Sequence, residues 1–106
     1  MNYLELTQQL TQVSHRSDLQ SQMYNFVQSA TEKLNRRLNL SLVPLVADTD
    51  TNEILTDWPL LYLYASLAAL YQFIEEGDNM STYLQLWNGE IDQQNITAPG
   101  TEPLVM

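Results

Sequence analysis

Apolar residues recur at steps of three and four along most of the chain, which is the spacing of one face of an α-helix. In the first predicted helix this stripe consists of Tyr3, Leu6, Leu10 and Val13. A second stripe, five turns long, consists of Leu19, Met23, Phe26, Val27, Ala30, Leu34 and Leu38. We expect Ser17 or Asp18 to cap the second helix at its start, and Asn39 and Pro44 to end it.

The third predicted helix covers residues 58–74, and it is apolar almost all round. It should therefore be the central and most buried element. Its length approaches that of a membrane span, but acids flank it and no Lys or Arg follows Arg37, so we assign it to a protein core. Thr56 or Asp57 should cap it, and Pro59 suits its first turn.

Gly77 should end the third helix, and Asp78 should cap a fourth. The fourth helix has a stripe formed by Met80, Tyr83, Leu84, Trp87 and Ile91. Residues 47–57 are polar and rich in turn formers, which predicts a loop. Residues 40–46 could form a short strand, although Pro44 disfavours one.

The pattern as a whole predicts an all-α protein, a small bundle of about four helices with an extended C-terminal segment. The bundle should occupy residues 1–96. Pro99 and Gly100 prevent the last helix from continuing, so residues 97–106 should be extended.

The charge is strongly negative and unevenly placed. Thirteen acids and four bases give the 106 residues a net charge of −9. Residues 1–47 hold four bases and three acids, a sum of +1, whereas residues 48–106 hold ten acids and no base, a sum of −10. This balance argues against a nucleic-acid-binding protein and against an anionic membrane as partner. The asymmetry has two readings: a chance surface bias, or the contact of one subunit's basic segment with the next subunit's acids.

No set of residues predicts catalysis or a cofactor. The chain has no Cys and a single histidine, His15, which excludes thiolate and multi-histidine metal sites and leaves His15 as a helix-junction residue. Asp48, Asp50 and Asn52 begin a calcium-loop pattern, but Glu53 stands where the pattern needs glycine. The carboxylates of the 75–78 turn are expected to face water, and the aromatic residues to serve the core or an interface.

Two stretches together resemble the head–tail adaptor (connector) proteins of tailed bacteriophages. The first is residues 10–38, in which an R-S-D-L junction at residues 16–19 precedes an aromatic-aliphatic helix. The family's E-x-x-L-N-R-x-L stretch is matched here at residues 32–38 by Glu32, Leu34, Asn35, Arg36 and Leu38, with one residue fewer between the Glu and the Leu. The second combines the Trp58-Pro59-Leu60-Leu61 run with residues 64–68, an acidic helix end and an amphipathic helix. The insertion between the second and third helices is shorter here, at residues 39–56, than in longer relatives.

The resemblance implies a ring of twelve subunits that docks beneath the portal protein of the virion and joins the head to a tail or nozzle protein. DNA would pass through the channel without sequence-specific binding. Such a protein is made in the cytoplasm of the host bacterium, and the first ten residues here lack the basic and apolar regions of an export signal.

We expect subunit or portal contacts at two places. Arg16, Arg36 and Arg37 supply nearly all the positive charge, and guanidinium groups suit planar pairing with a neighbour's carboxylates. Leu104, Val105 and Met106 end the C-terminal segment with apolar side chains. We expect this segment to be mobile in the free protein and to become ordered on docking.

Two other functions remain open from the sequence. The acidic charge would also suit a DNA mimic or another inhibitor that occupies the binding surface of a basic enzyme. A helical bundle of this size could instead be a regulatory module that binds a small ligand or peptide in an apolar pocket.

Overall fold

The computed structural model describes residues 1–94, and these residues form a helical bundle. The helices are α1 (Tyr3–Ser14), α2 (Met23–Leu38), α3 (Glu53–Asp57), α4 (Pro59–Phe73) and α5 (Gly77–Gln94), with a 3-10 turn at Gln20–Gln22. Residues 1–94 contain no strand, so the all-α prediction is confirmed. The predicted extended segment, residues 97–106, lies outside the described residues.

Helix α4 is the centre of the bundle, as its sequence predicts. It packs against α1, α2, α3 and α5. Every side chain from Leu61 to Tyr71 is buried or partly buried, and Leu61, Tyr62, Leu67 and Leu70 are fully inaccessible to solvent. No helix within residues 1–94 combines the length and apolarity that a membrane crossing requires. Removing this much apolar surface from water is the main contribution to the stability of the fold.

A chain of hydrogen bonds crosses this otherwise apolar core. The Tyr62 hydroxyl of α4 lies 2.9 Å from Asn52 Nδ2 and 2.7 Å from Thr31 Oγ1 of α2. The Asn52 amide is oriented by the main chain, because its oxygen accepts from the Leu55 N–H and its nitrogen donates to the Val43 carbonyl. Asn52 therefore donates to Tyr62.

The direction of the remaining bonds follows from the same argument. The Thr31 hydroxyl donates to the Val27 carbonyl at 3.0 Å, so its oxygen is free to accept, and Tyr62 donates to it. Burial is the main cause that raises the pKa of Tyr62, so this hydroxyl stays protonated. The side-chain polar atoms of Thr31, Asn52 and Tyr62 thus all have partners, as buried polar groups require.

The connecting segment, residues 40–46, is held by side chains instead of by a second strand. Asn35 Oδ1 accepts from the Leu42 N–H at 2.9 Å, and Gln28 Nε2 donates to the Leu45 carbonyl at 2.8 Å. The segment therefore runs back along α2 with Leu42 and Leu45 buried. The possible strand is not formed, because α2 offers amide side chains as partners but no free backbone edge.

Both helix caps predicted at the start of α2 and α4 are wrong. The Asp18 carboxylate is bonded to Arg16, and no side chain caps the 3-10 turn or α2. Residues 53–57 form α3 within the predicted loop, and Asn52 is its N-cap. Thr56 and Asp57 therefore belong to α3 and do not cap α4, whose N-cap position is Trp58. Pro59 lies in the first turn of α4, as predicted.

The end of α4 also differs from the prediction, because Glu75 rather than Gly77 turns the chain. Glu75 has a φ of 61°. The Glu76 N–H donates to the Tyr71 carbonyl at 2.9 Å and the Glu75 N–H to the Gln72 carbonyl at 3.2 Å, which is the bonding of a Schellman motif. The helix is closed two residues before Gly77, and Gly77 begins α5.

Removing the Tyr62 hydroxyl should destabilise the protein by about 1–3 kcal/mol, because Tyr62→Phe leaves buried donors and acceptors of the chain unpaired. Thr31→Val should cost a similar amount. The double variant should cost clearly less than the sum, since both changes break one shared bond. Urea unfolding of the four proteins measures this, with Tyr64→Phe as control. If the losses of the two single variants simply add up in the double variant, Tyr62 and Thr31 do not share the hydrogen bond described here.

Glu75→Gly should stabilise the protein by about 0.5–1 kcal/mol. Glycine removes the steric cost of a left-handed residue, and this gain exceeds the added entropy of the unfolded chain. Ser81→Gly, in the exposed interior of α5, is the matched control and should destabilise by about 1 kcal/mol. Urea midpoints that fall for both variants would rule out strain at Glu75.

Candidate functional site

The junction between α1 and α2 contains the first of the three predicted interface arginines. His15 ends α1 in a left-handed conformation, with a φ of 56°. Arg16 forms a bidentate ion pair with Asp18, in which Nε donates to Oδ1 and Nη2 donates to Oδ2, both at 2.9 Å. Leu19 follows and is buried. Residues 16–19 (R-S-D-L) thus form the turn that connects α1 to the start of α2. His15 lies at this junction, as predicted.

The Arg16–Asp18 pair is exposed to solvent, with 37% and 63% of the two side chains accessible. Hydrogen bonding to the Arg16 guanidinium lowers the pKa of Asp18 to about 2. The planar fork of Arg16 is therefore already engaged within its own chain. Its predicted contact with a neighbouring subunit stays a prediction, and it would have to form at the outer side of this pair.

Arg36 and Arg37, here called the arginine pair, lie in the last turn of α2 and are exposed. Neither makes an ion pair or a side-chain hydrogen bond within residues 1–94, and the spacing of Glu32 and Arg36 does not bring them within ion-pair distance. Positive charge at this end of a helix is favourable because the last carbonyls carry partial negative charge. The guanidinium groups of the arginine pair are therefore open to solvent as far as residues 1–94 are concerned.

Lys33 is the fourth basic residue, and it interacts with an aromatic ring instead of a carboxylate. Its ammonium lies 5.7 Å from the centre of the Trp87 ring of α5. Burial, with a smaller contribution from Arg36, lowers the pKa of Lys33. Lys33 thus joins α2 to α5 by a cation–π contact.

The surface beside the arginine pair is partly apolar. A shallow groove lies between Glu32, Asn35 and Arg36. The connecting segment lies next to it, because the Leu42 N–H donates to Asn35 Oδ1. Val43 is 65% exposed and Val46 62%. Open cationic groups beside exposed valines are the composition that a protein partner with carboxylates would fit.

The residues of the incomplete calcium pattern all have structural roles. The Asp50 carboxylate accepts from the Val46 and Ala47 N–H groups, which lowers its pKa. The Asp48 carbonyl accepts from the Leu4 N–H and so fixes the start of α1. Asn52 belongs to the buried chain around Tyr62. No cluster of three or more acidic or histidine side chains within residues 1–94 could hold a metal ion.

Five of the ten aromatic side chains form ring pairs with one another. Tyr83 of α5 lies parallel to Tyr71 of α4, with ring centres 5.6 Å apart, and tilted against Tyr64 at 6.1 Å. Phe26 and Phe73 meet edge to face at 5.5 Å. Such pairs join α4 to α5 and α2 to α4, so these rings contribute to the packing of the helices.

Sequence reasoning missed the residues that fix the connecting segment and the core chain, namely Gln28, Thr31, Asn35 and Asn52. One signal was present for Thr31, which is a polar residue between the apolar positions Val27 and Leu34 of the buried stripe. The predicted apolar contacts of Leu104, Val105 and Met106 lie outside the described residues.

A scan against protein-family models, a search of curated proteins and a search of solved structures each found no match to this chain.

Replacing Arg16 should release Asp18. In Arg16→Gln the pKa of Asp18 should rise from about 2 toward the ordinary value of 3.8, because the guanidinium no longer stabilises the carboxylate. In the unaltered protein the Arg16–Asp18 pair stabilises the fold at pH values above 3.8, and this stabilisation is lost as the pH falls from 3.8 through about 2. Carbon NMR of the carboxyl group measures the titration. Arg37→Gln is the control, and an unshifted Asp18 in Arg16→Gln would refute the pairing.

Proposed function

We propose that this protein is a head–tail connector (adaptor) of a tailed bacteriophage. It forms a ring beneath the portal protein, joins the head to the tail and surrounds the DNA channel. The observation that carries the proposal is that residues 10–38, which resemble adaptor proteins, contain both residues that build the fold and charged residues that do not. The leucines of this stretch and Asn35 build the fold, whereas its two consecutive arginines are exposed and make no ion pair within residues 1–94.

A head-to-tail ring would give those arginines a partner in every subunit. Each subunit carries exposed carboxylates in the acidic half of the chain, among them Asp48, Glu53, Asp57, Glu75 and Asp78. In a closed ring one patch of a subunit meets a different patch of the next. An arginine–carboxylate pairing of this kind orients the subunits and is formed once per interface.

The remaining negative charge is suited to a DNA channel. Carboxylates that line a passage repel phosphates, and at physiological salt this repulsion acts over about 8 Å. DNA would therefore move through the ring without adhering to the wall. The partners of this function are further copies of the chain, the portal protein and a tail or nozzle protein, and its place is the head–tail interface of the virion.

The direct test is purification with the cognate portal protein, followed by negative-stain imaging. A ring of this protein on the portal supports the proposal. The absence of any complex, together with inhibition of a basic DNA-binding enzyme by the purified protein, would instead support the DNA-mimic function.

Reversing the arginine pair should abolish assembly. Arg36→Glu/Arg37→Glu should leave the helical circular dichroism unchanged, because both side chains are exposed, but it should place acids against the neighbour's acids. Gln8→Glu/Gln9→Glu, at exposed positions of α1, adds negative charge elsewhere and should still form rings. Rings of normal appearance with both arginines reversed would remove these residues from the interface.

A further inference from the structure

Two surfaces of opposite charge lie at opposite ends of α2. Phe73, at the end of α4, meets Phe26 in the first turn of α2. Tyr62, near the start of α4, meets Thr31 farther along α2, so the two helices are antiparallel. The turn that follows Phe73 therefore lies at the N-terminal end of α2. The arginine pair, in the last turn of α2, is about 15 Å away along the helix axis.

The first surface is formed by the turn between α4 and α5. We call it the acidic end, and it consists of Phe73, Glu75, Glu76 and Asp78. Phe73 is 54% exposed although its ring is held edge to face against Phe26. The three carboxylates are exposed and make no ion pair within residues 1–94. Hydrogen bonding to Asp18 raises the pKa of Arg16, and the nearby Glu76 adds to this effect, so the one base beside this turn is already bound.

The second surface lies at the other end of α2. We call it the arginine end, and it consists of Arg36, Arg37 and Val43. Val43 is 65% exposed, while its carbonyl accepts from Asn52 and the adjacent Leu42 N–H donates to Asn35. Each surface thus combines charges of one sign with an exposed apolar side chain that is fixed from its inner side. Groups that are already fixed lose little entropy when they bind a partner.

The acids of α3 lie at the same end of the bundle as the arginine pair. Asn52 is the N-cap of α3 and bonds to the Val43 carbonyl, which places the following residue, Glu53, near the arginine end. Yet neither Glu53 nor Asp57 makes an ion pair with the arginines within residues 1–94. A second copy that approaches end to end presents its acidic end to the arginines, and not its α3.

We propose that the acidic end of one copy docks on the arginine end of a second copy. Phe73 lies against Val43, and the carboxylates of Glu75 and Glu76 pair with the arginine pair. Like ends repel each other, and the two surfaces differ, so the copies join head to tail and each added copy offers the same two surfaces again. This inference rests on the proposed function, since it names the contact that would repeat around the ring.

Disulfide formation between two single-cysteine proteins tests the contact, because the natural chain has no cysteine. Gly77→Cys marks the acidic end, where an added Cβ meets no atom within 4 Å. Ser41→Cys marks the exposed side of the connecting segment, next to Leu42. Under mild oxidation the two proteins should form a mixed disulfide at least about tenfold faster than Ser41→Cys forms with the control Gln85→Cys, because docking raises the local thiol concentration. Gln85 is exposed in the middle of α5.

Charge reversal separates docking from thiol reactivity. Glu75→Arg/Glu76→Arg in the Gly77→Cys protein should slow the mixed disulfide, although positive charge beside a thiol makes it more reactive. Arg36→Glu/Arg37→Glu in the Ser41→Cys protein should slow it too. Mixing the two reversed proteins with each other should restore the rate, because opposite charges face each other again. Circular dichroism checks that each variant is folded.

Three results would overturn the proposal. Equal rates for the Gly77 and Gln85 proteins would mean that the acidic end does not dock on the arginine end. Disulfides between two Gly77→Cys copies that form faster than the mixed product would mean that like ends meet. The double variant Ser41→Cys/Gly77→Cys should give linked trimers and larger products, and products that stop at dimers would indicate a reciprocal pair.

These measurements use the isolated chain, which keeps them separate from the test on the portal protein. Rings on the portal without the Ser41–Gly77 cross-link would overturn this contact and leave the proposed function standing. The cross-link without rings on the portal would support the contact and count against the connector function.

Discussion

The fully buried Tyr62 hydroxyl is the point on which the arrangement of the helices depends. It accepts from Asn52, which caps α3, and donates to Thr31 on α2, so one oxygen sets the positions of three helices around the centre of the core. An apolar core alone tolerates sliding of one helix past another. A buried hydroxyl does not, because any shift leaves donors and acceptors unpaired at a cost of about 1–3 kcal/mol each.

The same principle explains why a segment without regular structure can be part of a rigid surface. Residues 40–46 have no neighbouring strand, yet Asn52 reaches from the core chain to the Val43 carbonyl, and Asn35 and Gln28 continue the series outward. The central chain thereby fixes the segment beside the arginine pair. The candidate interface is an indirect product of the buried polar bonds, through the placement of Val43 and Val46.

The sequence predicted the elements whose determinants are local. Helix α4 was identifiable because its apolar residues surround the helix, and the exposure of Arg36 and Arg37 followed from their place outside the stripe. The core chain was not predictable, since Thr31 and Tyr62 are 31 residues apart and only the fold brings them together. The caps failed for a related reason: Asp18 has a nearer partner in Arg16, and periodicity does not reveal such competition. The surface that we propose to bind another protein leaves no local signal beyond charge and exposure.

The central claim is that exposed arginine–carboxylate pairs hold the protein to its neighbours. Sedimentation of the protein mixed with the cognate portal protein, from about 0.05 to about 0.5 M salt, tests it most directly, because salt screens exposed charge pairs far more than buried apolar contacts. The account predicts that the complex dissociates progressively as salt rises. A complex that forms and is equally stable across this range would contradict it.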